Sequence, residues 1–152
     1  MPATTPEASA ALLPEIAELV VSALNLDIAA ADIDYVNAHG TATPEGDPVE
    51  IDALRSVFGD HAERLAVSAT KSLHGHLLGA AGALEAIITV LALSEGAIPP
   101  TAHLDNLDPA CAGVDHVTTA RHQQPLRAAL ASSFAFGGSN AVLAFRAVAA
   151  QP

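Results

Sequence analysis

Three segments of the sequence place polar side chains where α/β proteins bind ligands, after strands and at the starts of helices. The first spans residues 37–47 and follows a predicted strand with one imidazole, His39, and the hydroxyls of Thr41 and Thr43. These groups could donate hydrogen bonds and move a proton within a cleft. A core or capping histidine is still the better explanation of this segment alone.

The second segment, residues 68–76, sets Lys71 and His76 at the N-terminal edge of a long apolar helix. The partial positive charge there favours a neutral imidazole that donates a hydrogen bond, and it stabilises developing negative charge. Glu85 lies inside the same helix and needs a partner, because a lone buried charge costs several kcal/mol. Lys71 is the expected partner. His74 and His76 could be two metal ligands, but no carboxylates or thiolates cluster nearby to complete a site, so no metal is expected.

The third segment, residues 132–140, is a glycine-rich turn between two predicted strands. Such a turn leaves backbone N–H groups free to bind an anion, and the rings of Phe134 and Phe136 could gate a cleft. A tight hairpin with the aromatic rings packed inward is the better explanation if this segment stands alone.

Composition excludes several classes of protein. The 152 residues carry a formal net charge of -11, and a polyanion repels nucleic acid and anionic membranes, so neither is an expected partner. A single cysteine, Cys111, allows no internal disulfide and is typical of a reducing compartment. The N-terminal residues lack the basic and apolar regions of a secretory signal. We therefore expect a cytoplasmic location.

The apolar pattern predicts helices and strands that alternate early in the chain and paired strands that close it. This order is typical of an α/β layer domain, and we expect residues 1–152 to form one such domain. The predicted helices span residues 6–25, 48–58 and 76–95, and the predicted strands span residues 33–38, 65–68, 117–118, 126–132 and 141–148.

The helix predicted at residues 76–95 is apolar on all sides and must be covered on all sides. Glu85, two glycines and a marginal length for a bilayer of about 30 Å favour a helix buried inside protein over a membrane span. One sheet covers one face only, so another part of an assembly is expected to cover the rest. Two helical layers within a self-sufficient domain are the alternative.

Together, the motifs NAHGTATPEGDPVE, SATKSLHGHLLGAAGALEA and SSFAFGGSNAVL resemble the C-terminal signatures of β-ketoacyl-acyl carrier protein synthases. The resemblance runs from about Pro6 to Val148, and the form of the first motif is more similar to discrete (type II) synthases than to modular polyketide synthases. It implies an α/β fold, the C-terminal half of a thiolase-like αβαβα five-layer fold with a mixed sheet covered by helices. The apolar helix would then lie in the central layer against the matching helix of the other half.

The resemblance also implies an activity, the decarboxylative Claisen condensation of an acyl thioester with malonyl-acyl carrier protein in fatty acid or polyketide synthesis. By motif, His39 and His76 are the catalytic histidines that hold the malonyl thioester carbonyl and stabilise the enolate. It leaves open which of the two also activates the water or carboxylate. Lys71 would act electrostatically, with Glu85 as its structural support.

Four further residues match binding positions of the family. Thr41 and Thr43 correspond to the hydroxyls that hold the phosphopantetheine arm, which is carried on the acyl carrier protein, so no tightly bound cofactor is expected. Phe136 corresponds to the gating residue whose backbone N–H contributes to the oxyanion hole of the acyl-transfer step, and Phe134 is its neighbour.

The sequence departs from the family in one respect, because the half with the nucleophilic cysteine is absent. Cys111 is expected to be an ordinary loop thiol, since no base or helix N-terminus lies near it in the sequence. We therefore expect a Cys-bearing N-terminal half on a partner chain, in a hetero-oligomer such as a dimer of heterodimers that also binds acyl carrier protein. A non-catalytic pairing subunit similar to a chain-length factor, or an inactive truncated fragment, are the alternatives.

Overall fold

A computed structural model describes residues 6–24, 28–135 and 137–148. Four short 3₁₀ turns, at residues 30–32, 59–64, 78–80 and 109–111, join the main elements. The helices are α1 (Pro6–Leu24), α2 (Gly46–Phe58), α3 (Lys71–His74) and α4 (Ala81–Glu95), and the strands are β1 (Ile33–Asn37), β2 (Ala66–Ser68), β3 (Asp115–His116), β4 (Ala128–Ser133) and β5 (Ala141–Arg146).

The five strands form one mixed sheet in the order β3-β2-β1-β4-β5. The first four of these are mutually parallel, and β5 runs antiparallel to β4 at one edge. β1, β2 and β4 are almost entirely buried, as expected for parallel strands covered on both faces. The predicted α/β class is therefore confirmed.

The register of the central strands divides the core into two. Val36 of β1 aligns with Val67 of β2 and Leu130 of β4, and all three pack with α1 and α2 on one face of the sheet. The next residue back along β1, Tyr35, aligns with Ala66 and Ala129 on the opposite face, which α4 covers. This alternation follows from the period of two along a strand.

Most element boundaries agree with the predicted ones to within two residues. The edge strand predicted at residues 117–118 lies two residues earlier, at Asp115–His116, although Val117 still donates its N–H to the carbonyl of Val67 at 2.9 Å. Residue 25, where the first helix was predicted to end, lies outside the described residues.

The apolar helix begins at Ala81, and the prediction of a helix from residue 76 was wrong. Gly75 has a φ of +76° and Leu78 has a φ of +50°, and left-handed backbone at these two positions interrupts right-handed helix. Residues 71–80 therefore form a one-turn helix, a loop and a 3₁₀ turn.

The prediction that the sheet covers only one face of this helix is confirmed. Ala81, Glu85, Thr89 and Ala92 are buried, whereas Ile87 and Leu91 are 58% and 53% exposed. By length and composition alone, Leu78–Glu95 is the one helical segment among the described residues that could cross a membrane, and 22% of it is buried. Core helices of soluble proteins can have the same length and composition, but they are mostly buried.

Candidate active site

The three segments that carry the candidate catalytic and binding residues lie at one edge of the sheet. β1, β2 and β4 run parallel, so the loops that follow them leave the sheet at the same edge. The loop after β1 carries His39, the segment after β2 carries Lys71 and His76, and the turn after β4 carries Phe134. This is the edge where open α/β sheets bind their ligands.

The first two segments touch at a glycine. Gly40 has a φ of +42°, and a Cβ atom on it would lie 2.4 Å from the Cβ of Ala69. Any other residue would push the His39 loop away from the segment that carries Lys71. Glycine at this position therefore sets how closely the two segments approach each other.

The buried carboxylate of Glu50 holds the His39 loop in place through two hydrogen bonds. The backbone N–H groups of His39 and Gly40 donate to the two oxygens of Glu50 at 2.9 and 3.0 Å. Glu50 is 3% exposed, and burial raises the pKa of its carboxyl to about 7, although the two backbone hydrogen bonds act in the opposite direction. Nothing in the sequence singles out Glu50, because an acidic residue in the first turns of a helix is usually solvated.

The imidazole of His39 lies between two other rings. Its centroid is 5.7 Å from that of His76 and 5.6 Å from that of Phe134, both in edge-to-face geometry. Burial, followed by the charges of Lys71 and His76, lowers the pKa of His39 to about 4. The ring is therefore neutral at neutral pH. Its Nδ1 is buried and has no hydrogen-bond partner within the described part of the chain.

His76 is exposed and lies in the loop before α4, five positions ahead of Ala81. His76 therefore does not lie at the N-terminus of the apolar helix, where it was predicted. Instead, its Nδ1 accepts a hydrogen bond from the backbone N–H of Leu78 at 3.2 Å. An Nδ1 that accepts carries no hydrogen, so the ring proton lies on Nε2, where it can be donated to a ligand.

The predicted ion pair between Lys71 and Glu85 is present, and both side chains are buried. Glu85 Oε1 accepts from Lys71 Nζ, whereas Oε2 is buried with no partner among residues 6–24, 28–135 and 137–148. Asn37 donates to the backbone carbonyl of Glu85 at 3.4 Å. The pair thus links α3, α4 and the end of β1 beneath the two histidines.

The two threonines of the first loop differ in their surroundings. Thr41 is half-buried, and Thr43 is exposed with its hydroxyl oxygen accepting the N–H of Gly46 at 3.1 Å. Thr43 therefore supports the start of α2, and its hydroxyl hydrogen is still able to donate to a ligand.

The glycine-rich turn is closed on itself. The N–H of Gly138 donates to Ala135, the N–H of Asn140 donates to the carbonyl of Gly138, and the N–H of Ala135 donates to the Asn140 side chain. The expectation of free N–H groups is therefore wrong for these three. Phe136, predicted to gate the site, lies outside the described residues.

A cavity of about 350 Å³ lies on the other side of the His39 loop, lined by Thr43, Asp47, Glu50 and Cys111 among others, but not by His39 or His76. Burial, with nearby acidic residues, raises the pKa of the Cys111 thiol, which disfavours its reactive thiolate form. Within the described part of the chain, no group of three or more His, Cys, Asp or Glu side chains could hold a metal ion.

This arrangement can be compared with known proteins. Residues 3–105 match the family model described as "Beta-ketoacyl synthase, C-terminal domain". The chain belongs to the β-ketoacyl synthase family. The residues matched to this domain contain the first two motifs and end before the third.

The curated relatives are condensing enzymes and nodulation proteins. The chain is 49% identical over 116 residues to 3-oxoacyl-[acyl-carrier-protein] synthase 2 of Coxiella burnetii, covering 76% of this chain and 28% of that protein. It is 49% identical over 117 residues to nodulation protein E of a Rhizobium species, covering 77% of this chain and 29% of that protein. The chain thus spans under a third of the length of these relatives.

Solved structures of ketosynthases confirm the thiolase-like fold class. A β-ketoacyl synthase from Burkholderia phymatum aligns with a TM-score of 0.82 and 38% identity over 90% of this chain and 33% of that one. The ishigamide ketosynthase/chain length factor aligns with a TM-score of 0.84 and 37% identity, again over 90% and 33%. A type II ketosynthase solved with its acyl carrier protein and bound to a hexaketide aligns with a TM-score of 0.83 and 30% identity. The alignment covers 88% of this chain and 33% of that one.

Proposed function

We propose that residues 1–152 act as one ketosynthase C-terminal domain that supplies His39, His76 and Lys71 to a decarboxylative condensation site. The substrates are an acyl thioester and a malonyl thioester on acyl carrier protein, in fatty acid or polyketide synthesis. The observation that carries the proposal is the pair of imidazoles with centroids 5.7 Å apart, near enough to the buried Lys71–Glu85 pair for the charge of Lys71 to act on His39. Two adjacent hydrogen-bond donors beside a fixed cation suit an oxygen that becomes negative during a reaction.

In the first step, the bond between C2 of the malonyl group and its carboxylate breaks, carbon dioxide leaves, and the electron pair forms the thioester enolate. We assign His39 and His76 to the thioester oxygen that receives this charge. The Nε2–H of His76 is available for this purpose because Leu78 occupies Nδ1. A neutral His39 can also donate. Lys71 adds electrostatic stabilisation of the enolate.

In the second step, C2 of the enolate attacks the carbonyl of an acyl group held as a thioester on a cysteine, and the cysteine thiolate leaves. That cysteine lies outside this sequence, because the raised pKa and burial of Cys111 make it a poor nucleophile. We assign it to a ketosynthase N-terminal half on a partner chain that packs on α4. The exposed Ile87 and Leu91 support such a partner.

The phosphopantetheine arm of the carrier protein brings the thioesters to the site and is part of the substrate. The hydroxyls of Thr41 and Thr43 fit this arm as hydrogen-bond donors, because they lie on the same loop as His39 and are not deeply buried. We assign Phe134, which contacts the His39 ring, and Phe136 to the acyl side of the site.

Purification of the chain from its native source, followed by mass spectrometry, tests this assembly. The expected result is a stoichiometric ketosynthase N-terminal half whose cysteine becomes acylated when the complex is given an acyl thioester. A control bait with Val90→Asp on the exposed α4 face should lose that half. A chain recovered alone, or only with copies of itself, would contradict the catalytic proposal.

A further inference from the structure

His74 has no role in the proposed chemistry, and it lies between Lys71 and His76 in the second segment. Its Nδ1 is 2.7 Å from the carbonyl oxygen of Gly75, and its Nε2 is 3.3 Å from the hydroxyl of Thr70. A carbonyl oxygen only accepts hydrogen bonds, so Nδ1 must carry a hydrogen. The ring thus connects the end of α3 to the loop that presents His76.

The carbonyl of Gly75 belongs to the same planar peptide unit as the backbone nitrogen of His76. Fixing that oxygen therefore fixes the direction in which the chain enters His76. Packing does not restrain this point, because a Cβ added to Gly75 would meet no heavy atom within 4 Å. Glycine with a φ of +76° also has more backbone conformations available than any other residue. The N–H of Gly75 is held by the carbonyl of Lys71 at 2.8 Å, and the carbonyl of Gly75 is held by His74.

The other end of His74 rests on buried groups. Thr70 and Asn37 are fully buried, and the Thr70 hydroxyl donates to the Asn37 side-chain oxygen at 3.0 Å. Asn37 is the last residue of β1, directly before the His39 loop. The Nε2 edge of His74 therefore packs beside the Thr70 hydroxyl near the end of β1, whereas its Nδ1–H makes the bond to the carbonyl of Gly75.

We propose that His74 is a positioning residue, whose Nδ1–H holds the Gly75–His76 peptide so that the His76 ring faces His39 at the observed separation. This inference rests on the proposed function, because it concerns the decarboxylation that we assign to the two histidines. His74 itself touches neither substrate nor reacting atoms.

Three substitutions in the assembled enzyme separate this role from a packing role. His74→Leu keeps the bulk and removes the donor, His74→Asn keeps an N–H near Nδ1, and His74→Gln places its amide near Nε2. For His74→Leu and His74→Gln we expect the kcat of malonyl decarboxylation to fall by at least about ten-fold with KM unchanged, because a small misplacement of a catalytic group is costly. His74→Asn should recover most of the loss, and exposed His122→Leu serves as the control.

Each outcome supports or overturns the positioning role of His74. Wild-type kcat in His74→Leu, or an equal loss in His74→Asn, would overturn the proposal. If His74→Leu does not fold, a long-range ¹H–¹⁵N correlation spectrum of the wild-type enzyme decides, since a bare Nδ1 on His74 contradicts it. Full decarboxylation by His76→Ala would instead overturn the proposed function, so the two failures are distinguishable.

Discussion

The two faces of the sheet are built in different ways. The face under α1 and α2 has an apolar core, with Ile16, Val20 and Leu54 packed on Val36 and Leu130. The face under α4 has a small apolar cluster and a line of buried polar groups that includes Asn37, Thr70, Lys71 and Glu85. In the part of the chain that the structure describes, α1 and α2 cover the first face. The second holds the proposed chemistry and leaves the outer side of α4 open to solvent.

This difference explains where stability and function lie. An apolar core stabilises the fold but does not orient polar groups. Buried charges and amides orient neighbouring loops through their hydrogen bonds, and a polar atom left unpaired there is costly. On the α4 face, Glu85 Oε2 is buried with no partner among the described residues. Such groups are characteristic of functional regions.

The first prediction compares the two outer surfaces. Val90 on α4 and Val21 on α1 are 46% and 47% exposed, so the same substitution can be compared on both faces. Val90→Asp should weaken binding of the Cys-bearing half by at least about 30-fold, roughly 2 kcal/mol, because it buries an unpaired carboxylate in the interface. Val21→Asp should leave binding unchanged in an equilibrium binding assay. Equal effects would mean that α4 is not the interface.

A second prediction concerns the charged core of the α4 face. Glu85→Ala leaves Lys71 buried without its partner and should lower the free energy of unfolding by about 3–5 kcal/mol. Removing both charges with Lys71→Met and Glu85→Leu should cost much less, since no uncompensated charge remains. Denaturant unfolding of the two variants measures the difference. A double variant as unstable as Glu85→Ala would show that packing, not charge pairing, determines the loss.

A third prediction concerns the pH dependence of stability. The folded-state pKa of Glu50 is raised from 4.5 to about 7, so its contribution to stability is full below pH 4.5 and is lost as pH rises through 7. The pKa of His39 is lowered from 6.5 to about 4, so its contribution is full above pH 6.5 and is lost as pH falls through 4. The two slopes oppose each other between about pH 4.5 and 6.5.

Glu50→Gln removes one of these slopes. The free energy of unfolding of wild type minus that of Glu50→Gln should therefore fall as pH rises from 4.5 to 7, as measured by denaturant unfolding at a series of pH values. A difference that stays constant over this range would show that the carboxyl of Glu50 keeps its ordinary pKa in the folded chain.

The sequence predicted the elements and one buried pair well, for physical reasons. The apolar runs at residues 33–38 and 65–68 are too short for a helix and are typical of buried strands. A carboxylate such as Glu85 in an apolar helix needs a cationic partner, and this requirement identified Lys71. The start of α4 could not be predicted, because the left-handed backbone of Leu78 leaves no mark on its residue type. The roles of Glu50 and His74 depend on contacts with backbone groups that only the folded loops bring near.

This chain is proposed to supply the decarboxylating half of a condensing site. The most direct test is His76→Ala in the assembled enzyme, with carbon dioxide release from malonyl-acyl carrier protein and acylation of the partner's cysteine measured side by side. We expect decarboxylation to be abolished and acylation to stay largely intact, because His76 is assigned to the enolate alone. Equal loss of both steps would contradict the assignment.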